Sequence, residues 1–354
     1  MKIKKLEAIR GFAALYVVAN HLAGWTVLKK ALPSLARLPF RFGQEAVILF
    51  FLLSGFVIYL SESRKTQINF PRYFLKRVIR IYPIMIVAFI LSTIAALINH
   101  HKFVLDDARS LIGNIFMLQD IPNKPGNIEI PFLDNSPLWT LSYEFVFYLM
   151  FYPVYIFFVK EKTVKISSTY IVLAISMTGW LLYMLYPNHL FLVIANFALW
   201  WSGVACAQVY LEHKTFTLFN LKEVFISLTV MMCLTAIPVV QWIINDLPLS
   251  QIQYPIITWR HYFVSLIIIV AGLAWWKIKL FGFDPIIRSF EKFAPISYAL
   301  YVTHFIFIKL EIPSVNPYLA ILLKLALAFI TAYLLEMRMQ PLINDFFFAK
   351  NKKL

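Results

Sequence analysis

The chain has 354 residues, is 60% hydrophobic and carries only 14% charged residues, where a soluble domain carries about 25%. That composition excludes a water-soluble globular enzyme, and without a separate basic module the net charge of +15 does not point to nucleic acid. It selects an all-α integral membrane protein, because apolar runs of about 18 residues or more read as spanning helices whose backbone polar groups pair internally.

The apolar runs predict a bundle of about ten transmembrane helices, at 6–28, 44–60, 81–99, 138–159, 166–186, 190–211, 223–244, 257–276, 295–311 and 316–337. The first follows Met1-Lys2-Ile3-Lys4-Lys5 as a signal peptide would. Its apolar run continues to about Leu28 and contains Arg10 and His21, so it is read as an uncleaved span. Eleven residues apart on a helix, Arg10 and His21 share a face to within about 20° and are separated by about 16 Å along it. Arginine is always charged and forks onto phosphate or carboxylate oxygens. Histidine exchanges a proton near neutral pH. The face therefore offers an anion clamp with a base deeper in the membrane. The plainer alternative is an arginine reaching the interface and a core histidine satisfied by a neighbour.

Residues 61–80 carry Arg64, Lys65, Arg72, Lys76, Arg77 and Arg80 and run into the third span. Arg77 and Arg80 lie three apart, on one helix side, and suit either a phosphate-bearing ligand or lipid headgroups. Residues 100–137 form the longest loop on the other side, with Asp106, Asp107, Asp120, Glu129 and Asp134. A loop of that length is usually functional. Its stretch 108–118 is too short to span and reads as a re-entrant or interfacial helix. The fourth span opens with Pro137-Leu138-Trp139-Thr140-Leu141-Ser142-Tyr143-Glu144, and a carboxylate so placed must be paired or protonated. Ser142 has no nucleophile elbow around it and reads as a helix-joining hydroxyl.

Cys206 and Cys233 read as packing residues without metal-type spacing, and no metal is expected. The ninth span aligns Ser297, Tyr301 and His304 in a polar stripe that either lines a cavity or joins helices. Lys324, alone in the last span, would reach the interface or a partner such as Glu311. Of the 33 Lys and Arg residues, 23 fall on the side of the N-terminus and only 7 on the other, which predicts that both termini are cytoplasmic. The expected organisation is a single transmembrane domain over 1–345 and a short basic cytoplasmic tail over 346–354.

Five motifs in order carry a resemblance. Arg10-Gly11-Phe12-Ala13-Ala14 is followed by His21, and Phe50-Phe51-Leu52-Leu53-Ser54-Gly55-Phe56 comes next. Arg77-x-x-Arg80-x-x-Pro83 and Trp139-Thr140-Leu141-Ser142-Tyr143-Glu144, with Phe147-Tyr148, follow; Ser297-Tyr298-x-Leu300-Tyr301-x-x-His304 is the last. Together they resemble the acyltransferase-3 family of integral membrane O-acyltransferases, here as a stand-alone membrane domain. The resemblance implies transfer of an acyl group, commonly acetyl, from acyl-CoA to a hydroxyl of a carbohydrate or similar acceptor. It implies a plasma membrane enzyme (a bacterial inner membrane one) with no tightly bound cofactor, since acyl-CoA is a substrate.

The implied roles put donor phosphates on Arg77, Arg80 and Arg10, and make His21 the general base. Glu144 would orient an imidazole or bind acceptor hydroxyls, and His304 would be a second base or acceptor ligand. Two features depart from the family. Where Gly-Val-Asp often stands, this chain has Ala46, Val47 and Ile48, with Glu45 just before. The late Glu-x-Pro ending is blurred, since Glu336 is followed only by Pro341. The competing expectation is a transporter or flippase for a glycolipid or small metabolite, which would favour paired repeats and Gly/Pro-broken spans. The sequence displays no such repeat and has only 10 glycines.

Overall fold

The computed structural model describes residues 4–65, 69–248, 250 and 253–348. Every expected span folds as helix. The main elements are α1 (Lys4–Trp25), α2 (Gly43–Glu62), α3 (Phe70–Ile98), α4 (Leu105–Ile115), α5 (Trp139–Val154), α6 (Ser168–Leu185) and α7 (His189–Ala195). They continue with α8 (Phe197–His213), α9 (Lys222–Ile244), α10 (Ile256–Lys277), α11 (Ser297–Lys309), α12 (Pro317–Leu334) and α13 (Gln340–Phe348). The chain is a multi-pass, all-α membrane protein.

Eight stretches of the described residues are long and apolar enough to cross a membrane, and the first and ninth expected spans are not among them. The physical reasons differ. α1 begins with Lys4, Lys5, Glu7 and Arg10, which lower its hydropathy. α11 has 13 residues, about 20 Å of helix against a hydrocarbon core of about 30 Å. Both are interior helices. In α11, Ser297 and every residue from Ala299 to Ile308 are buried, and α1, α3 and α12 pack around it. The two helices least suited to face lipid therefore sit at the centre, and they carry His21 and His304.

α3 shows the opposite design. Ile86, Ile90, Ile94 and Leu97 are exposed along one stripe, while Ile84, Met85, Ala88, Phe89 and Ser92 are buried on the other. The exposed stripe has the four-residue spacing of a lipid-facing side. The helix starts 11 residues before the expected span, because the Asn69 side chain accepts from the Arg72 amide at 3.1 Å and caps it. Arg77 and Arg80 therefore ride on helix rather than on loop.

Close approach at two glycines fixes the helix positions. A Cβ at Gly11 would lie 2.1 Å from the Phe290 carbonyl oxygen, so α1 packs directly on the 3₁₀ segment Arg288–Ile296. At Gly55 it would lie 2.4 Å from the Trp200 carbonyl oxygen, bringing α2 against α8. Small residues at such crossings let membrane helices pack by van der Waals contact alone.

Other expectations shift in detail. The sixth expected span divides at Asn196 into α7 and α8. The expected re-entrant segment is α4, too short to span, with Leu105, Ile112 and Ile115 exposed. The Lys324 ammonium donates to the Ile308 carbonyl at 2.9 Å, near the end of α11. Of the tail expected over 346–354, residues 346–348 are helical as the end of α13, and 349–354 lie outside the described residues.

Candidate active site

Arg10, Arg77, Arg80 and Glu144 come from three helices and line one cavity of about 230 Å³. Each guanidinium has a carboxylate partner. Arg10 pairs with Glu7 at 2.7 Å, Arg77 with Glu62 at 3.5 Å and Arg80 with Glu336 at 2.5 Å. The pairing leaves donors over, because arginine carries five N–H groups in a fixed fork. The Nε atoms of Arg10 and Arg77 are buried without a hydrogen-bond partner. Arg77 also lies over the Tyr73 and Tyr148 rings, and Arg80 over the Tyr298 ring. The cavity is thus lined by three guanidinium groups and by the carboxylates of Glu7 and Glu144, and two of the guanidinium groups keep a donor unpaired. Glu336 supplies what its blurred motif left open. It lies in the π turn Leu335–Met339, binds Arg80 and accepts the Ala299 amide at 3.2 Å, tying α12 to α3 and α11.

A second cavity of about 120 Å³ is lined by His21, Asn20, Arg41, Gln44, Ser136, Trp139 and Arg260. Val47 and Tyr301 line both cavities, so the two meet at those side chains. Ile48, where the family pattern often has an acid, is buried and lines neither cavity. Glu45 is engaged elsewhere, holding Arg260 at 2.5 Å.

His21 Nδ1 lies 2.7 Å from His304 Nε2, which joins residues 283 positions apart. The contact sets the tautomers. His304 Nδ1 faces the carbonyls of Leu300 and Tyr301, both at 2.9 Å, and these can only accept. Nδ1 of His304 therefore carries the hydrogen, and in the neutral ring Nε2 is the acceptor. His21 must then donate from Nδ1, which leaves the lone pair on its Nε2. The sequence alone did not disclose this pairing. His304 is fully buried and lines neither cavity, and its Nε2 is held against His21.

Glu144 sits at the other cavity. Its Oε1 accepts from Ser54 Oγ at 3.0 Å and from the Tyr148 hydroxyl, and it lines the arginine cavity. Neither imidazole is among its hydrogen-bond partners. Ser142 donates to the carbonyls of Gln119 at 2.7 Å and Trp139 at 2.8 Å, a structural hydroxyl as its surroundings suggested.

Sequence reasoning missed a buried cluster behind this site. The Asp120 carboxylate accepts from Lys124 at 2.8 Å and from the Tyr143 hydroxyl at 2.7 Å, with His189 Nδ1 at 3.2 Å. Burial works against its charge, yet Lys124 and His189 together hold its pKa well below the usual carboxylate range. Lys124 also sits over the Trp139 ring at 5.2 Å. The cluster pins the long loop against α5, whose Trp139 lines the histidine cavity. Among the described residues no three His, Cys, Asp or Glu groups are arranged to hold a metal ion.

The chain belongs to the acyltransferase family whose model, described as an acyltransferase domain, matches residues 3–337. It is similar to Acyltransferase MdmB of Streptomyces mycarofaciens, 30% identical over 168 residues, or 47% of this chain. That match spans 42% of the relative, so the chain covers less than half of its length. No solved structure matches the chain.

Proposed function

We propose that this membrane acyltransferase moves an acyl group, acetyl in the simplest case, from acyl-CoA to a hydroxyl of a carbohydrate-type acceptor at a bacterial inner membrane. The carrying observation is that the arginine cavity and the His21 cavity meet at Val47 and Tyr301. The unspent arginine donors suit a polyanion whose phosphates lie on the cytoplasmic side, where the Lys and Arg asymmetry puts the start of α1. The pantetheine arm then runs along α1 and brings the thioester to the junction.

His21 Nε2 takes the proton of the acceptor hydroxyl as its oxygen forms a bond to the acyl carbon. The carbon–sulfur bond breaks, and the CoA sulfur leaves with that proton as the free thiol. The hydrogen bond from His21 Nδ1 to His304 keeps the base in its working tautomer and shares the positive charge it acquires. A base so held contributes about 10²–10⁴-fold, and positioning adds to it. Glu144, fixed by Ser54 and Tyr148, belongs to the donor side in this reading.

The test is acetyl-CoA turnover by purified protein in lipid nanodiscs, reading free thiol. The wild type should release CoA and His21→Ala, at equal expression, should not. Equal release from both would remove His21 from the chemistry.

A further inference from the structure

A third cavity, of about 280 Å³, lies beside the histidine pair, between the C-terminal ends of α3 and α11, helix α4 and residues 130–135. Neither the motifs nor the site above assigns it a role. Two buried side chains in its wall are incomplete. Ser92, 4% exposed, has no partner for its hydroxyl, and Asn135, 2% exposed, has none for its amide oxygen. The amide nitrogen of Asn135 donates to the Val302 carbonyl at 3.0 Å, which fixes the amide plane. Buried polar atoms in native folds are hydrogen-bonded in the great majority of cases. Both residues line the cavity, which has room for more than one water molecule.

The charges are equally specific. Asp106, Asp107 and Asp134 line the cavity, opposed by Lys309 and His101. Asp134 pairs with Lys309 at 3.2 Å, and Asp107 accepts from the Val104 amide and from His101, both at 2.9 Å. Asp106 is exposed and without a partner among the described residues. With three carboxylates against one ammonium, the rim repels anions and attracts cations.

Only thin partitions separate this cavity from the catalytic one. Phe305 lines it and packs on the His21 ring with centroids 4.8 Å apart. Asn135 lines it, while the next two residues, Ser136 and Pro137, line the His21 cavity.

We infer that this cavity is an anchoring subsite for the acceptor, taking a neutral or amine-bearing polyhydroxyl ring whose hydroxyls bond Ser92 Oγ and Asn135 Oδ1, and excluding carboxylate-bearing rings. The inference rests on the acyl-transfer reading and names the acceptor class for it. The anchored ring is held one aromatic layer from His21, at the Phe305 side chain.

The test needs no acyl donor, so it fails or succeeds separately from the CoA measurement. Methyl glucoside, glucosamine and glucuronate are titrated against the protein in nanodiscs, reading the ligand-dependent rise in Tm. The first two should raise Tm, with glucuronate weaker by about tenfold or more. Ser92→Leu, which fills the cavity, should remove the response to all three. Asp106→Asn alters an exposed side chain and leaves folding intact; it should narrow the gap between glucosamine and glucuronate while methyl glucoside is unchanged. No response in the wild type, a response that survives Ser92→Leu in folded protein, or a sugar preference untouched by Asp106→Asn overturns the assignment.

Discussion

Two charge clusters lie in this membrane protein, and they are finished to different degrees. Around Asp120, the carboxylate accepts from Lys124, Tyr143 and the Ile121 amide. Around the arginine cavity, three guanidinium groups have carboxylate partners, yet Arg10 and Arg77 keep buried donors unused. A buried charge satisfied by its own neighbours holds structure together. Charges that line a cavity and keep donors unpaired can take a ligand.

The comparison can be broken by substitution. The largest effect on rate belongs to the imidazole pair: His304→Ala should lower kcat by about 10²-fold, since a free His21 ring loses its orientation and tautomer. His304→Gln, whose amide oxygen accepts where Nε2 did, should restore part of it while donor KM stays unchanged in both. A rise in donor KM instead would place His304 in binding. Next, Arg77→Ala should raise the KM for acetyl-CoA by about tenfold, with kcat little changed and Arg77→Lys intermediate. An unchanged donor titration would remove the arginine cavity from donor binding.

The Asp120 cluster should respond in the opposite currency. Asp120→Asn leaves Lys124 buried without its counter-charge and should cost about 3–5 kcal/mol of stability, read as a lower Tm, while donor KM is unaltered. Because the folded carboxyl titrates below its unfolded value, its contribution is full above the unfolded pKa of about 4 and is lost as the pH falls toward the depressed folded value. The Tm gap between wild type and Asp120→Asn should therefore shrink in acid; a constant gap would mean that the ion pair is not its source. The smallest effect belongs to Ser142→Ala, within about twofold in kcat, because that hydroxyl serves only backbone carbonyls.

How much was legible follows from sequence distance. Arg77 and Arg80 are three residues apart, and Arg10 and His21 share one helix face, so local periodicity exposes them. Nothing local links His21 to His304, or Arg80 to Glu336 across 256 positions. Composition gave ten apolar runs, yet could not say that the weakest of them, α1, and the shortest helix among them, α11, form the interior. Burial by neighbours rather than by lipid is a property of the packed bundle. The Asp120 cluster and the third cavity draw on loop residues whose partners lie on other helices, so no spacing rule reaches them.

The most direct measurement is the structure of the protein in nanodiscs with a non-transferable thioether analogue of acetyl-CoA. The account predicts the phosphates against Arg10, Arg77 and Arg80, and the acyl carbon at the Val47–Tyr301 junction within reach of His21 Nε2. Phosphates bound away from those arginines, or an acyl carbon remote from His21, would contradict it.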